Sequence, residues 1–186
     1  MRIISGKWRG RSLATPPGDT TRPTADRTRE ALFSILTSRL GSFDGLVVAD
    51  IFAGTGALGL EAMSRGAARA FFVDHDKAAI TAIRKNIATL GVERETELIP
   101  TAVSALGKAR AACDLLMFDP PYDSGGAGAL LERLTRLGWA APGAWATVET
   151  RSNETVSADG WLLDAERTYG KAKLSVLARV QAAQPD

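Results

Sequence analysis

Short apolar runs alternate with helix-patterned segments through most of this chain, and that rhythm leaves few folds open to it. "LVVAD" (46–50), "AFFVD" (70–74), "ELIP" (97–100), "DLLMFD" (114–119) and "AWATVET" (144–150) read as strands. Between them, 57–65, 76–90 and 127–138 read as helices, with a shorter one near 103–110. Strands separated by helices need crossover connections, which are right-handed and build a mainly parallel sheet covered on both faces. Near the end the rhythm breaks: "GWLLDAERTYG" and "KAKLSVLARV" are strands with no helix between them, an antiparallel hairpin at the sheet edge. The expected fold class is α/β, a doubly wound, mostly parallel seven-stranded sheet with an antiparallel C-terminal strand. "QAAQPD" is expected as a frayed tail.

Ahead of the sheet, Thr24 can cap a helix running to about Leu40, with Ala31, Leu32, Ile35, Leu36 and Leu40 on one stripe. The turn-rich "PPGDTTRP" precedes it. Residues 1–30 carry seven basic side chains against three acids, a net +4 that leaves −2 for the other 156 residues. A positive arm on a near-neutral body suits a phosphate backbone, although it is also what a solvated terminus looks like. The expected organisation is a basic arm over 1–23, a β-hairpin, followed by one domain over 24–186. No apolar run approaches the roughly 20 residues of a membrane helix, and "MRIISGKWRGR" lacks a signal peptide's apolar core. A cytoplasmic monomer without membrane contact is expected. With Cys113 the sole cysteine and His75 the sole histidine, neither a zinc cluster nor a histidine triad is expected, and no metal. Cys113 reads as a small buried residue beside a strand.

In "VVADIFAGTGALGLEA" a strand runs into a helix through Gly54, Gly56 and Gly59, and Asp74 lies 20 residues beyond Gly54 at the end of the next strand. That order matches a nucleoside-binding crossover, in which glycines admit backbone close to the ligand and the acid takes the ribose hydroxyls. Asp50 decides between ligands. A carboxylate at the mouth of the loop would repel a dinucleotide's pyrophosphate, but it suits S-adenosylmethionine, which carries an ammonium and a sulfonium and no phosphate. Phe52 either contacts that ligand or packs beneath the loop.

The strand "DLLMFD" stops at "PPYDS". Pro120 and Pro121 have no N–H and leave the Pro120 carbonyl outside any ladder, while Asp119 adds a carboxylate. An exocyclic amine could donate one hydrogen bond to each acceptor, aiming its lone pair at a methyl group, and Tyr122 could stack on an extruded base. No metal is needed. A nicotinamide oxidoreductase is disfavoured by Asp50 and this turn, and a noncatalytic RNA-binding module by the intact chemical site.

The string Asp50-x-Phe52-x-Gly54-x-Gly56 resembles motif I of class I methyltransferases, whose fold is Rossmann-like, and Asp119-Pro120-Pro121-Tyr122 resembles motif IV of amino-group methyltransferases. DNA adenine-N6, RNA guanine-N2 and protein glutamine enzymes share versions of the latter. At "RIISGKWRGRSL" and "RPTADRTREALFSIL" the chain resembles the bacterial 16S rRNA guanine-N2 methyltransferase family, from about Arg2 through Gly170. The resemblance implies methyl transfer to a guanine of small-subunit rRNA, aided by the assembled or assembling ribosomal subunit. It implies Asp50, Gly54, Gly56 and Asp74 around the cofactor, and Asp119, Pro120 and Tyr122 around the amine. Arg22, Pro23 and Thr24 would approach the methionine end, and His75 is either an adenine neighbour or a solvated loop residue. "PTAVSA" lacks the acid many relatives place after the third strand, so backbone near Thr101 and Ala102 is expected to serve adenine. Lys7, Arg9 and Arg11, with Arg27 and Arg29 of the same basic stretch, would meet RNA; Trp8 stacks on a base or packs the arm. A DNA adenine-N6 methyltransferase is the alternative, but the short interstrand loops leave little to read a duplex.

Overall fold

β-strands buried on both faces need unbroken apolar runs, and the centre of this chain supplies them. The computed structural model describes residues 1–16, 23–120 and 126–180. Its elements run α1 (Pro23–Leu40), β1 (Val47–Ile51), α2 (Ala57–Ser64), β2 (Arg69–Asp74), α3 (Lys77–Leu90), β3 (Thr96–Pro100), β4 (Cys113–Phe118), α4 (Ala127–Arg136), β5 (Ala140–Arg151), β6 (Trp161–Tyr169) and β7 (Ala172–Arg179). The sheet has seven strands in the order β3-β2-β1-β4-β5-β7-β6. β2 pairs in parallel with β1 and β3, and β4 with β5, whereas β7 is antiparallel to both β5 and β6. This is the α/β architecture expected from the alternation. The chain divides into two compact units, Met1–Ala105 and Leu106–Asp186.

In the first unit, Ala70, Phe71, Phe72 and Val73 are completely buried, and Asp50 pairs with Phe72 in the β1–β2 register. Burying one such phenylalanine contributes about 1.5–3 kcal/mol. α3 begins one residue later than the sequence suggested because Asp76 is its cap: the carboxylate accepts the Ala79 N–H at 2.8 Å. Ala79, Ala82, Ile83 and Ile87 form its buried stripe. The helix expected over 103–110 contracts to a single 3-10 turn, Val103–Ala105. Gly107, two residues on, is a poor helix former.

The arm folds back on itself through antiparallel backbone bonds, Ile3 N–H to Arg11 O, Gly10 N–H to Ile3 O and Leu13 N–H to Met1 O, each 2.9 Å. Among the described residues of the arm, one bridge, Arg2 with Ser12, has ladder geometry. Glu61, fully buried in α2, accepts the N–H groups of Ile4 at 2.7 Å and Ser5 at 3.0 Å, and pairs with Arg65 at 2.9 Å. Ile3 and Leu13 enter the core, so the arm is bound to its unit by apolar burial and by a buried charge.

In the second unit, Leu115 to Phe118 of β4 are buried and stand opposite Trp145 to Val148 of β5. Cys113 is buried at the start of β4, as expected of a small apolar residue. Leu131 and Leu134 pin α4. β6 exposes Leu162 and Leu163 but also Asp164 and Arg167, charges that discourage pairing along an outer strand.

Candidate functional site

β1 delivers the chain to the glycine loop in a conformation few residues tolerate. Phe52 has φ +65°, the only described non-glycine residue with positive φ. The left-handed region costs a bulky residue roughly 1–2 kcal/mol, and such outliers gather at ligand-binding turns. Phe52 is half-buried. Gly54 (φ +55°) and Gly56 (φ +77°) follow, Gly56 capping α2. A side chain at Gly54 would meet nothing within 4 Å, so open space lies against the loop backbone there. At Gly59 the situation reverses: a Cβ would lie 2.5 Å from the Phe72 ring and 3.2 Å from Asp50 Cβ.

Two carboxylates hold this loop. Asp50 is only 1% exposed and accepts the Gly59 N–H at 2.8 Å, satisfying an otherwise unpaired amide in the first turn of α2 where the helix dipole also favours negative charge. Asp74, half-buried at the end of β2, accepts Gly54 N–H through Oδ2 and Asp76 N–H through Oδ1, both at 2.9 Å. Each oxygen retains a lone pair, so Asp74 can accept a further hydroxyl. An open glycine edge with a partly exposed acid beside it fits the adenosyl half of S-adenosylmethionine. His75 is exposed; Thr101 and Ala102 are half-buried after β3, with Thr101 N–H donating to Ile99 O at 2.9 Å. Pro23 and Thr24 open α1, and Arg22 lies outside the described residues.

Asp119 and Pro120 follow directly after β4. Burial first, and then the Glu149 carboxylate of β5, push the Asp119 carboxyl up to about 7. Yet Asp119 is exposed by accessible surface. Asp119 thus packs against protein on one side and meets solvent on the other. Pro120 is half-buried; Pro121 and Tyr122 lie outside the described residues.

The basic residues separate into two groups. Lys7, Arg9, Arg11 and Arg27 are exposed, and Arg9 and Arg27 line a cleft of about 720 Å³ between the arm and α1 together with Arg2, Asp26 and Glu30. The Lys7 ammonium stands 4.2 Å above the half-buried Trp8 ring, so packing within the arm already engages Trp8. Arg29 differs from the expectation of an RNA contact. It is 6% exposed, donates to Arg2 O and to Asp26 at 3.2 Å, and burial holds its guanidinium below the usual range against the pull of Glu61 and Asp26. It ties the arm to α1. Glu61, Ser64 and Asn86 were not singled out in the sequence, and the one available signal was a polar residue on an otherwise buried helix face. Among the described residues, no cluster of His, Cys, Asp and Glu could hold a metal.

The family described as Conserved hypothetical protein 95 matches residues 1–178. The chain belongs to that family. Another similar protein, the ribosomal RNA small subunit methyltransferase D of Escherichia coli, is 35% identical over 189 aligned residues, covering 100% of this chain and 93% of that one. A solved Escherichia coli structure superposes with TM-score 0.86 at 34% identity, spanning 98% of this chain and 99% of its own. The magnesium protoporphyrin IX methyltransferase of Synechocystis, solved with bound S-adenosylmethionine, shares the fold alone, at TM-score 0.64 and 15% identity. The full-length relative thus brings this chain among the small-subunit rRNA methyltransferases, the family that "RIISGKWRGRSL" and "RPTADRTREALFSIL" resemble.

Proposed function

We propose that this protein transfers the methyl group of S-adenosylmethionine to the exocyclic N2 of a guanine in 16S rRNA, within an assembled or assembling small ribosomal subunit. The observation that carries the reading is an open-faced carboxylate, Asp119, ending β4 in a chain whose full-length relative is named a small-subunit rRNA methyltransferase. When bound, S-adenosylmethionine supplies a sulfonium methyl carbon that accepts the amine's lone pair, the S–C bond breaking with its electrons left on sulfur. The chain's own task is to hold both partners.

The Gly54 edge admits the adenosyl group, Asp74 accepts from its ribose, and Asp50 keeps the loop in shape while adding negative charge near a cationic ligand. The Asp119 carboxylate and the Pro120 carbonyl each accept one N2–H. With both protons engaged, the nitrogen lone pair is withdrawn from the guanine ring and directed outward, which turns a weak nucleophile into an oriented one. The extra proton leaves the nitrogen for water after transfer. Tyr122 stacks on the extruded base, and Lys7, Arg9, Arg11 and Arg27 meet phosphates. The relative's name favours RNA over DNA adenine.

The test is methyl transfer from labelled S-adenosylmethionine to unmethylated small-subunit particles, naked rRNA and DNA, followed by nucleoside digestion. Label in N2-methylguanosine, stronger on particles, is the expected result. Label in N6-methyladenine would overturn the substrate while keeping the site.

A further inference from the structure

Asn86 lies in α3, 2% exposed, with both its amide oxygen and its amide nitrogen engaged. Oδ1 accepts Ala14 N–H at 2.7 Å, and Nδ2 donates to Ala14 O at 3.0 Å and to Thr55 O at 2.9 Å. One side chain therefore pairs with the arm as a neighbouring strand would, while its second N–H reaches the glycine loop between Gly54 and Gly56. A second arm contact meets the same loop residue: Thr55 Oγ1 donates to Met1 Sδ at 3.2 Å. Asn86 itself is buried, so its amide cannot release either backbone segment without losing hydrogen bonds that little water is at hand to replace.

We propose that Asn86 is a positioning residue that couples the arm to the cofactor loop. An adenosyl ligand that fixes the Thr55 backbone fixes Asn86, and through it Ala14; RNA on the arm acts in the opposite direction, because such coupling is reciprocal. The inference rests on the reading above that the loop takes the cofactor and the arm takes RNA.

Hydrogen exchange of the unmodified protein with S-adenosylhomocysteine tests it first. Slower exchange of the Ile3, Gly10, Leu13 and Ala14 amides on saturation is expected. If the ligand binds and those amides are unchanged, the coupling is overturned while the cofactor reading stands; if no binding occurs, both fall. The second measurement is affinity for a small-subunit rRNA fragment with and without S-adenosylhomocysteine. The unmodified protein is expected to bind RNA about fivefold or more tighter with the ligand, and Asn86→Ala to bring that ratio to one. A purely structural Asn86 would lower Tm and leave the ratio intact, as the buried truncation Leu131→Ala in α4 is expected to do. If Asn86→Ala fails to fold, the exchange result still decides.

Discussion

In the proposed role Asp119 accepts an amine N–H best as a carboxylate, and its environment opposes ionisation. Burial and the nearby Glu149 raise its carboxyl from 3.8 to about 7. kcat/KM is therefore expected to rise with pH through about 7 and level off above it, a profile that single-turnover kinetics across pH 5–9 would trace. Asp119→Asn is expected to remove that limb and lower turnover about 10²-fold, with S-adenosylmethionine affinity unchanged by titration calorimetry; full activity in this variant would end the amine-holding role. The sign for stability runs the other way. Because the folded pKa is raised, the folded chain keeps a proton that the unfolded chain has released, so stability falls as pH climbs from the ordinary carboxylate range to about 7 and is flat beyond. The position of Asp119 after an apolar strand was legible in the sequence. Its pKa was not, because Glu149 is brought close only by the pairing of Phe118 with Val148 across β4 and β5.

At the scale of elements, the loop from β1 into α2 was the most readable part of the chain, because its requirements are local. Glycines at 54, 56 and 59 and an acid at the end of the next strand are a spacing pattern; the bond from Gly54 N–H to Asp74 is what the structure adds to it. Asp74→Ala removes the loop's acceptor together with the proposed ribose partner, so S-adenosylmethionine affinity is expected to fall about tenfold or more, at roughly 1.4 kcal/mol per lost charged hydrogen bond; calorimetry on the purified variant would measure it. Gly59→Ala drives a methyl group into the Phe72 ring and toward Asp50. A cost of about 1–3 kcal/mol is expected, read as a lower Tm, and an unchanged Tm would mean that the ring moves freely. What holds the arm was illegible, since Glu61 and Asn86 take partners 56 to 72 residues away and belong to no motif. Arg29 was misread for the same reason: charge in a basic stretch says nothing about which side chain turns inward.

For the molecule as a whole, the positive charge is concentrated at the N-terminal end, so on the proposed reading affinity for RNA is separable from catalysis. The first 30 residues carry +4 and the remainder −2, so attraction to a polyanion is concentrated in the arm and the start of α1. Arg9 and Arg11 are exposed there, while Arg29, only a few turns of chain away, is buried against Arg2 O and Asp26. Each exposed cation that neutralises a phosphate of a single strand releases about 0.7 of a counterion. Replacing Arg9 and Arg11 by alanine should therefore flatten the plot of log affinity against log salt by about 1.4, with Tm and S-adenosylmethionine affinity unchanged. Arg29→Ala should do the opposite. Truncating this buried side chain removes the donor to Arg2 O and one partner of Asp26 and leaves a void between arm and α1, so Tm falls, while the salt slope, set by cations that reach phosphate, stays where it was. Filter binding over a salt series, with thermal melts of the same preparations, separates the two roles. A flatter slope in Arg29→Ala would return that residue to the RNA-facing set, and an unaltered slope in the double variant would leave the arm as structure alone.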